Sequence, residues 1–122
     1  EEFPAQITAC PFAQQTLSDC ALFSDLLINT TPMGMTAVAD QFDSLAFLEQ
    51  LPGGVPVCDI IYSPPETPLL RRAKELGHPT MNGLGMLIYQ AIFALEEFTG
   101  TEIDAAAVMP SVKAALREAM EG

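Results

Sequence analysis

Gly83-Leu84-Gly85-Met86-Leu87-Ile88-Tyr89-Gln90 opens the helix on which the reading of this sequence turns. The pattern carries it to about Phe98, and from Met86 to Leu95 every residue except Gln90 is apolar or aromatic. A helix that is apolar all round belongs inside a protein. A buried Gln90 then needs partners for its amide donors and acceptor. The two glycines ahead of it let another group, protein or ligand, come close to the backbone. Two readings fit. One is an ordinary core helix whose Gln90 bonds neighbouring backbone. The other is a helix whose first turns face a ligand, with Gln90 directed at something polar.

Upstream lies the cleanest helix signal. Thr67 is placed as N-cap, Pro68 at the first helical position and Gly77 at the C-terminal stop. Leu69, Leu70, Ala73 and Leu76 form its apolar face, and Arg71, Arg72 and Lys74 form a solvated one. Strands are expected at 26–29 and 55–62, each a short apolar run of the kind a parallel sheet buries on both faces, and at 79–82. A helix is expected over 43–51, capped by Asp43 or Ser44 and stopped by Pro52-Gly53-Gly54. A short strand is expected within 5–12, ended by Pro11, and a short helix or turn over 16–23. The last helix spans 104–120, broken or restarted near Pro110.

Strand, helix, strand, helix, strand, helix is the order of a parallel α/β sheet with right-handed crossovers. It matches the second half of a doubly wound, Rossmann-like sheet with flanking helices, followed here by C-terminal helices. Ligands in such folds sit at the carboxyl ends of strands. Those ends are Asn29-Thr30-Thr31, Tyr62-Ser63 and Asn82-Gly83, so three polar or glycine-bearing turns should meet on one edge.

A chain of 122 residues fits one domain and buries about two thirds of its unfolded surface. A hydrophobic fraction of 49% and a mean hydropathy of +0.27 argue against disorder. Sixteen acidic against five basic residues give a net charge of −11 and a pI near 4.1, which opposes nucleic acid or an anionic membrane as partner. Cys10, Cys20 and Cys58 form no C-x-x-C and read as reduced thiols of a cytoplasmic protein, without disulfide or metal. His78, before Pro79, reads as a solvated loop histidine. The longest apolar run is too short to span a membrane, and no signal peptide opens the chain. A start at Glu1-Glu2-Phe3 rather than Met fits a fragment or a processed chain. No G-x-G-x-x-G, P-loop, Ser-His-Asp set or paired carboxylates stand out, and Gly83-Leu84-Gly85 lacks the third glycine.

Three segments together resemble the C-terminal part of shikimate dehydrogenase. They are Leu26-Leu27-Ile28-Asn29-Thr30-Thr31-Pro32-Met33-Gly34-Met35, then Cys58-Asp59-Ile60-Ile61-Tyr62-Ser63-Pro64 with Glu66-Thr67-Pro68-Leu69-Leu70, then the stretch from Gly83 to Gln90. Each alone is weak; their order and spacing make the resemblance, which runs from about Ser24 to the end and is strongest from Asp25 to Gly100. That family reduces 3-dehydroshikimate to shikimate with NADPH, in chorismate and aromatic amino acid biosynthesis.

The resemblance implies that Thr31, Ile60, Gly83 and Met86 line the cofactor, NADP, and that Tyr62 and Gln90 hydrogen-bond the substrate. It implies a partial NADP-binding domain over 1–82 and, over 83–122, helices that pack toward a substrate domain. The family's Lys-Asp catalytic pair, glycine-rich loop and 2′-phosphate arginine have no counterpart here, so no residue of this chain is expected to be catalytic and the chain alone should be inactive. Each site residue also has a plainer role. Thr31 caps a turn, Ile60 and Met86 fill core, Tyr62 reaches for water. Two alternatives remain: a quinate or other hydroxy-acid dehydrogenase, and a non-catalytic module that binds a ligand or protein. In the isolated chain the strand at 26–29 would be an open edge, which invites a homodimer or a swapped arrangement.

Overall fold

The computed structural model describes residues 6–121. Three short parallel strands form one sheet in the order β1 (Leu27–Asn29), β2 (Val57–Asp59), β3 (Thr80–Met81). Four helices accompany them: α1 (Gln14–Leu22), α2 (Pro68–Glu75), α3 (Leu84–Thr99) and α4 (Ala105–Glu121). The expected parallel sheet is therefore present, with α-helices after β2 and β3, and β1 is an edge of this sheet.

The strands are shorter than the apolar runs that encode them, and β2 gives the reason. Val55 N–H bonds the Pro52 carbonyl in a turn, Pro56 has no N–H, and Ile61 N–H is taken by the Asp59 side chain. Register places Leu27, Ile28 and Asn29 beside Val57, Cys58 and Asp59, and Val57 and Cys58 beside Thr80 and Met81.

The core lies on one face of the sheet. Leu48, Val57 and Ala73 are wholly buried, and Ala21, Phe47, Leu69 and Leu70 nearly so, which joins α1, the 47–48 segment and α2 to β2. The other face departs from the two-sided burial expected of these strands. Its cross-strand row is Ile28, Cys58 and Met81, with Ile28 and Met81 exposed and Cys58 half-buried. No described element covers that row.

Several expectations are corrected. Residues 6–12 are exposed and form no strand, because no neighbouring strand pairs with them; residue 5 lies outside the described residues. The helix expected over 43–51 is one 3₁₀ turn, Ala46–Gln50, begun where Ser44 Oγ accepts Ala46 N–H at 3.1 Å and cut by Pro52. That span is too short to repay α-helix nucleation. Its apolar positions are nonetheless used, since Phe47, Leu48 and Leu51 are buried.

His78 is not solvated. It is buried, and its Nδ1–H donates to the Val55 carbonyl at 2.9 Å, while its main-chain N–H reaches back to Ala73 in the turn that ends α2. A carbonyl only accepts, so the proton sits on Nδ1. Helix α4 runs unbroken through Pro110. The proline costs one main-chain bond in the second turn, and Asp104 Oδ1 anchors the first by accepting the N–H groups of Ala106 and Ala107 at 3.0 and 3.2 Å.

The largest departure concerns α3. Its bounds agree with the sequence, and Gly100 closes it at φ 65°. Only Ile88 and Ile92 are buried; Met86, Tyr89, Phe93, Leu95 and Phe98 are exposed. It packs against α4, which covers one stripe of a helix that is apolar on every side.

Candidate site at the carboxyl ends of the strands

The site begins with a buried polar network that ties two strand ends to a helix start. Register sets Asn29 beside Asp59. Asn29 Nδ2 donates to Asp59 Oδ1 at 3.2 Å, Ile61 N–H donates to the same oxygen at 3.0 Å, and Thr67 Oγ1–H donates to Asp59 Oδ2 at 2.7 Å. Thr67 is fully buried, and its hydroxyl also accepts Leu70 N–H at 3.3 Å as the α2 N-cap. The other end of Asn29 shapes the β1 turn: its Oδ1 accepts Thr31 Oγ1–H at 2.7 Å and Thr31 N–H at 3.0 Å. Every buried side-chain polar atom among the described residues has a partner. These bonds hold the 29–33 and 59–63 turns in one fixed relation.

Between those turns opens a cleft of about 290 Å³ lined by Thr31, Pro32, Met35, Ile60, Ile61 and Tyr62. Its walls are largely apolar, with hydroxyls at the rim. On the other side of Tyr62 and Ser63 is a second cleft, of about 360 Å³, closed by Asn82, Leu84 and Arg117. Tyr62 stands at the border, about two fifths exposed. The segment between carries a cis Ser63–Pro64 bond.

Gly83 is explained by space. It is buried at φ −76°, a conformation open to any residue. A side chain there would lie on the Ile60 carbonyl, and Gly83 N–H donates to Ile61 O at 2.9 Å. The group that comes close to this backbone is thus the end of β2. Gly85 has open space where a side chain would stand.

Of the six residues singled out in the sequence, Thr31, Ile60 and Tyr62 meet in the first cleft. Gly83 supports it from behind Ile60. Met86 and Gln90 are exposed on α3 and line neither cleft. Sequence reasoning missed Asn29 and Asp59 as the network's centre, because their pairing depends on register. It also missed Arg117, since nothing local signals that α4 returns to Tyr62.

The three basic residues of α2 are paired with glutamates. Arg71 and Lys74 contact Glu66 at 3.5 and 3.2 Å, and Arg72 contacts Glu49 and Glu75 at 2.8 and 3.1 Å. The hydrogen bond and charge of Lys74, then those of Arg71, hold the Glu66 carboxyl below its ordinary range. Among the described residues no cluster of His, Cys, Asp or Glu could hold a metal ion. No helix of the described chain is long and apolar enough to cross a membrane.

Parallel strands whose carboxyl-end turns flank an apolar cleft, followed by a helix entered over a space-limited glycine, define the later part of a Rossmann-like α/β domain. The sequence profile of the Shikimate 5′-dehydrogenase C-terminal domain matches residues 83–113. A shikimate dehydrogenase (NADP(+)) of Desulforamulus reducens is 42% identical over 90 residues, which cover 74% of this chain and 31% of that protein. The crystal structure of Shikimate 5-dehydrogenase from Listeria monocytogenes, in complex with shikimate and NAD, matches with a TM-score of 0.67 at 29% identity, over 80% of this chain and 34% of that one. Quinate dehydrogenase from Corynebacterium glutamicum, in complex with NAD, matches with a TM-score of 0.66 at 32% identity, over 82% and 34%. The chain belongs to the shikimate dehydrogenase family and corresponds to its C-terminal part. It spans about a third of the length of the curated relatives it matches.

Proposed function

We propose that this chain is the coenzyme-side and C-terminal portion of an NADP-dependent shikimate dehydrogenase, which reduces 3-dehydroshikimate to shikimate. The observation that carries this reading is the meeting of Thr31, Ile60 and Tyr62 in one cleft at the ends of β1 and β2. The residues fit one end of the coenzyme only. Ile60, Met35 and Pro32 offer an apolar wall to a flat nicotinamide ring, and Thr31 offers a hydroxyl. Arg71, Arg72 and Lys74 are engaged by glutamates, so the phosphates need groups from elsewhere.

When bound, the dihydronicotinamide supplies the hydride. This chain's residues hold and orient. Ile60 and Thr31 position the ring and exclude water. Gly83, whose N–H is already used and whose carbonyl accepts Leu87 N–H, keeps one carbonyl lone pair for the carboxamide. Met86, which lines neither cleft, would press on the ring from α3 on the family resemblance alone. Tyr62 at the cleft border and, on the family resemblance alone, Gln90 would supply hydrogen bonds to the substrate. Residues 1–82 then belong to the NADP-binding domain, and 83–122 pack toward a substrate domain. The exposed apolar residues of α3 support that placement. The chain alone is inactive, its open β1 edge favours a homodimer, and the protein acts in the cytoplasm.

A quinate-using relative is the second reading, favoured by the likeness to quinate dehydrogenase. The test is a chimera in which this chain replaces the matching third of the Desulforamulus enzyme. Tyr62→Phe and Gln90→Ala should each raise KM for shikimate more than for NADP+. Unchanged kinetics in both would refute the substrate roles. A higher kcat/KM for quinate than for shikimate would transfer the proposal to the second reading.

A further inference from the structure

Cys10 and Cys20 lie ahead of the three segments that carry the family likeness, and no role described so far uses them. Their spacing makes no cysteine motif, so only the fold can join them. Cys20 stands in α1 on the same stripe as Leu17 and the N-cap residue Ala13. At about 1.5 Å per helical residue, Cys20 lies roughly 10 Å along the axis from Ala13. The extended reach from Ala13 back to Cys10 is also roughly 10 Å. A tight turn, in which Ala13 N–H donates to Pro11 O at 3.0 Å, sends the segment back along that stripe. Phe12 holds the turn, its ring centroid 6.1 Å from that of Phe42. The two thiols therefore meet. Desolvation first, then the charge and hydrogen bonding of Cys10, then the charge of Asp19, push the Cys20 thiol up. Both cysteines are exposed, so a dissolved reagent reaches them. Cys58 is half-buried in β2, on the sheet face away from α1.

We infer that Cys10 and Cys20 are a dithiol pair that a low-molecular-weight disulfide of the glutathione class converts to an intramolecular disulfide. One protein thiolate attacks the reagent, whose S–S bond breaks to leave a mixed disulfide and one free small thiol. The second protein thiolate attacks the protein sulfur of that mixed disulfide, forms the Cys10–Cys20 bond and expels the second small thiol. Two electrons pass from the protein to the reagent, and both protons leave on its thiols. The new bond pins the segment before α1 along that helix. That segment borders the open edge of β1, where Phe12 and Leu17 line one pocket with Leu27 and Ile28. Closing the loop also removes freedom from the unfolded chain.

The test incubates the folded 122-residue chain with oxidised glutathione, alkylates the remaining thiols and reads the mass. The product should be lighter by two hydrogens, carry no glutathione and leave only Cys58 open to alkylation. Proteolysis before Asp19 and Asp25 should leave the peptide holding Cys10 joined to the one holding Cys20. Cys10→Ser and Cys20→Ser each lack the resolving thiol and should instead keep one bound glutathione. Disulfide closure should run at least roughly tenfold faster than in the urea-unfolded chain, where the fold no longer holds the thiols together. The melting temperature of the oxidised chain should rise by roughly 10 °C and fall back on reduction with dithiothreitol. A disulfide that includes Cys58 or joins two chains would overturn the inference. So would stable glutathione adducts on the unmutated pair, closure as fast in urea, or an unchanged melting temperature.

Discussion

Replacing Gly83 by alanine tests how the site is held together. The new methyl would fall on the Ile60 main-chain carbonyl, which has no flexible side chain to yield. Either α3 must withdraw or the end of β2 must move, and both moves break the 2.9 Å bond from Gly83 N–H to Ile61 O. Overpacking a well-filled site costs about 1–3 kcal/mol, and stranding a buried carbonyl costs about 1–3 kcal/mol more. Reduced freedom of the unfolded chain returns about 0.4–1 kcal/mol, so the net loss is about 1–6 kcal/mol, centred near about 3 kcal/mol. For a domain of this size that lowers the melting temperature by roughly 10 °C or more. Gly85→Ala is the internal control, because nothing lies within 4 Å of its added methyl. It should be neutral or gain up to about 1 kcal/mol of helix propensity. Thermal and urea unfolding of the two variants, followed by circular dichroism, measures the difference. Two curves within about 0.5 kcal/mol of each other would refute the claim that Gly83 is selected by the approach of β2.

Other outcomes follow from the same structure. Thr67→Val keeps the shape of a fully buried residue but removes the α2 cap and a bond to Asp59, and should cost about 2–4 kcal/mol in urea unfolding. Glu66 sits below its ordinary carboxylate range, so its contribution is full above that range and fades as pH falls through the lowered value. Urea midpoints of Glu66→Gln and the parent should therefore differ slightly at neutral pH and converge in acid, the effect being small for an exposed group. His78→Leu leaves the Val55 carbonyl without its 2.9 Å donor and should cost about 1–3 kcal/mol, read from the same urea midpoints. Light scattering after size exclusion should find the chain dimeric at high micromolar concentration; a monomer there would remove the homodimer from the account.

The strand and helix order was legible because local signals encode it. Thr67, Pro68 and Gly77 bracket α2, and Gly100 ends α3, by chemistry that acts within a turn. The convergence of Thr31, Ile60 and Tyr62 was legible too, since parallel strands put their carboxyl ends on one edge. What escaped was set by distant partners. Asn29 meets Asp59 through strand register across 30 residues, and His78 is buried by the carbonyl of Val55, 23 residues away. Periodicity said that α3 is apolar all round but could not say what covers it. Pro110 looked like a break because local propensity cannot weigh the Asp104 cap that precedes it.

If this chain provides the coenzyme-side wall of a shikimate dehydrogenase, it turns over only when joined to the rest of such an enzyme. Shikimate-dependent reduction of NADP+, followed by NADPH absorbance, tests it with the chain alone and with the chimera on the Desulforamulus enzyme. The account predicts no turnover by the chain and turnover by the chimera. A folded chimera that binds NADP+ yet transfers no hydride, or a chain that turns over unaided, would contradict it.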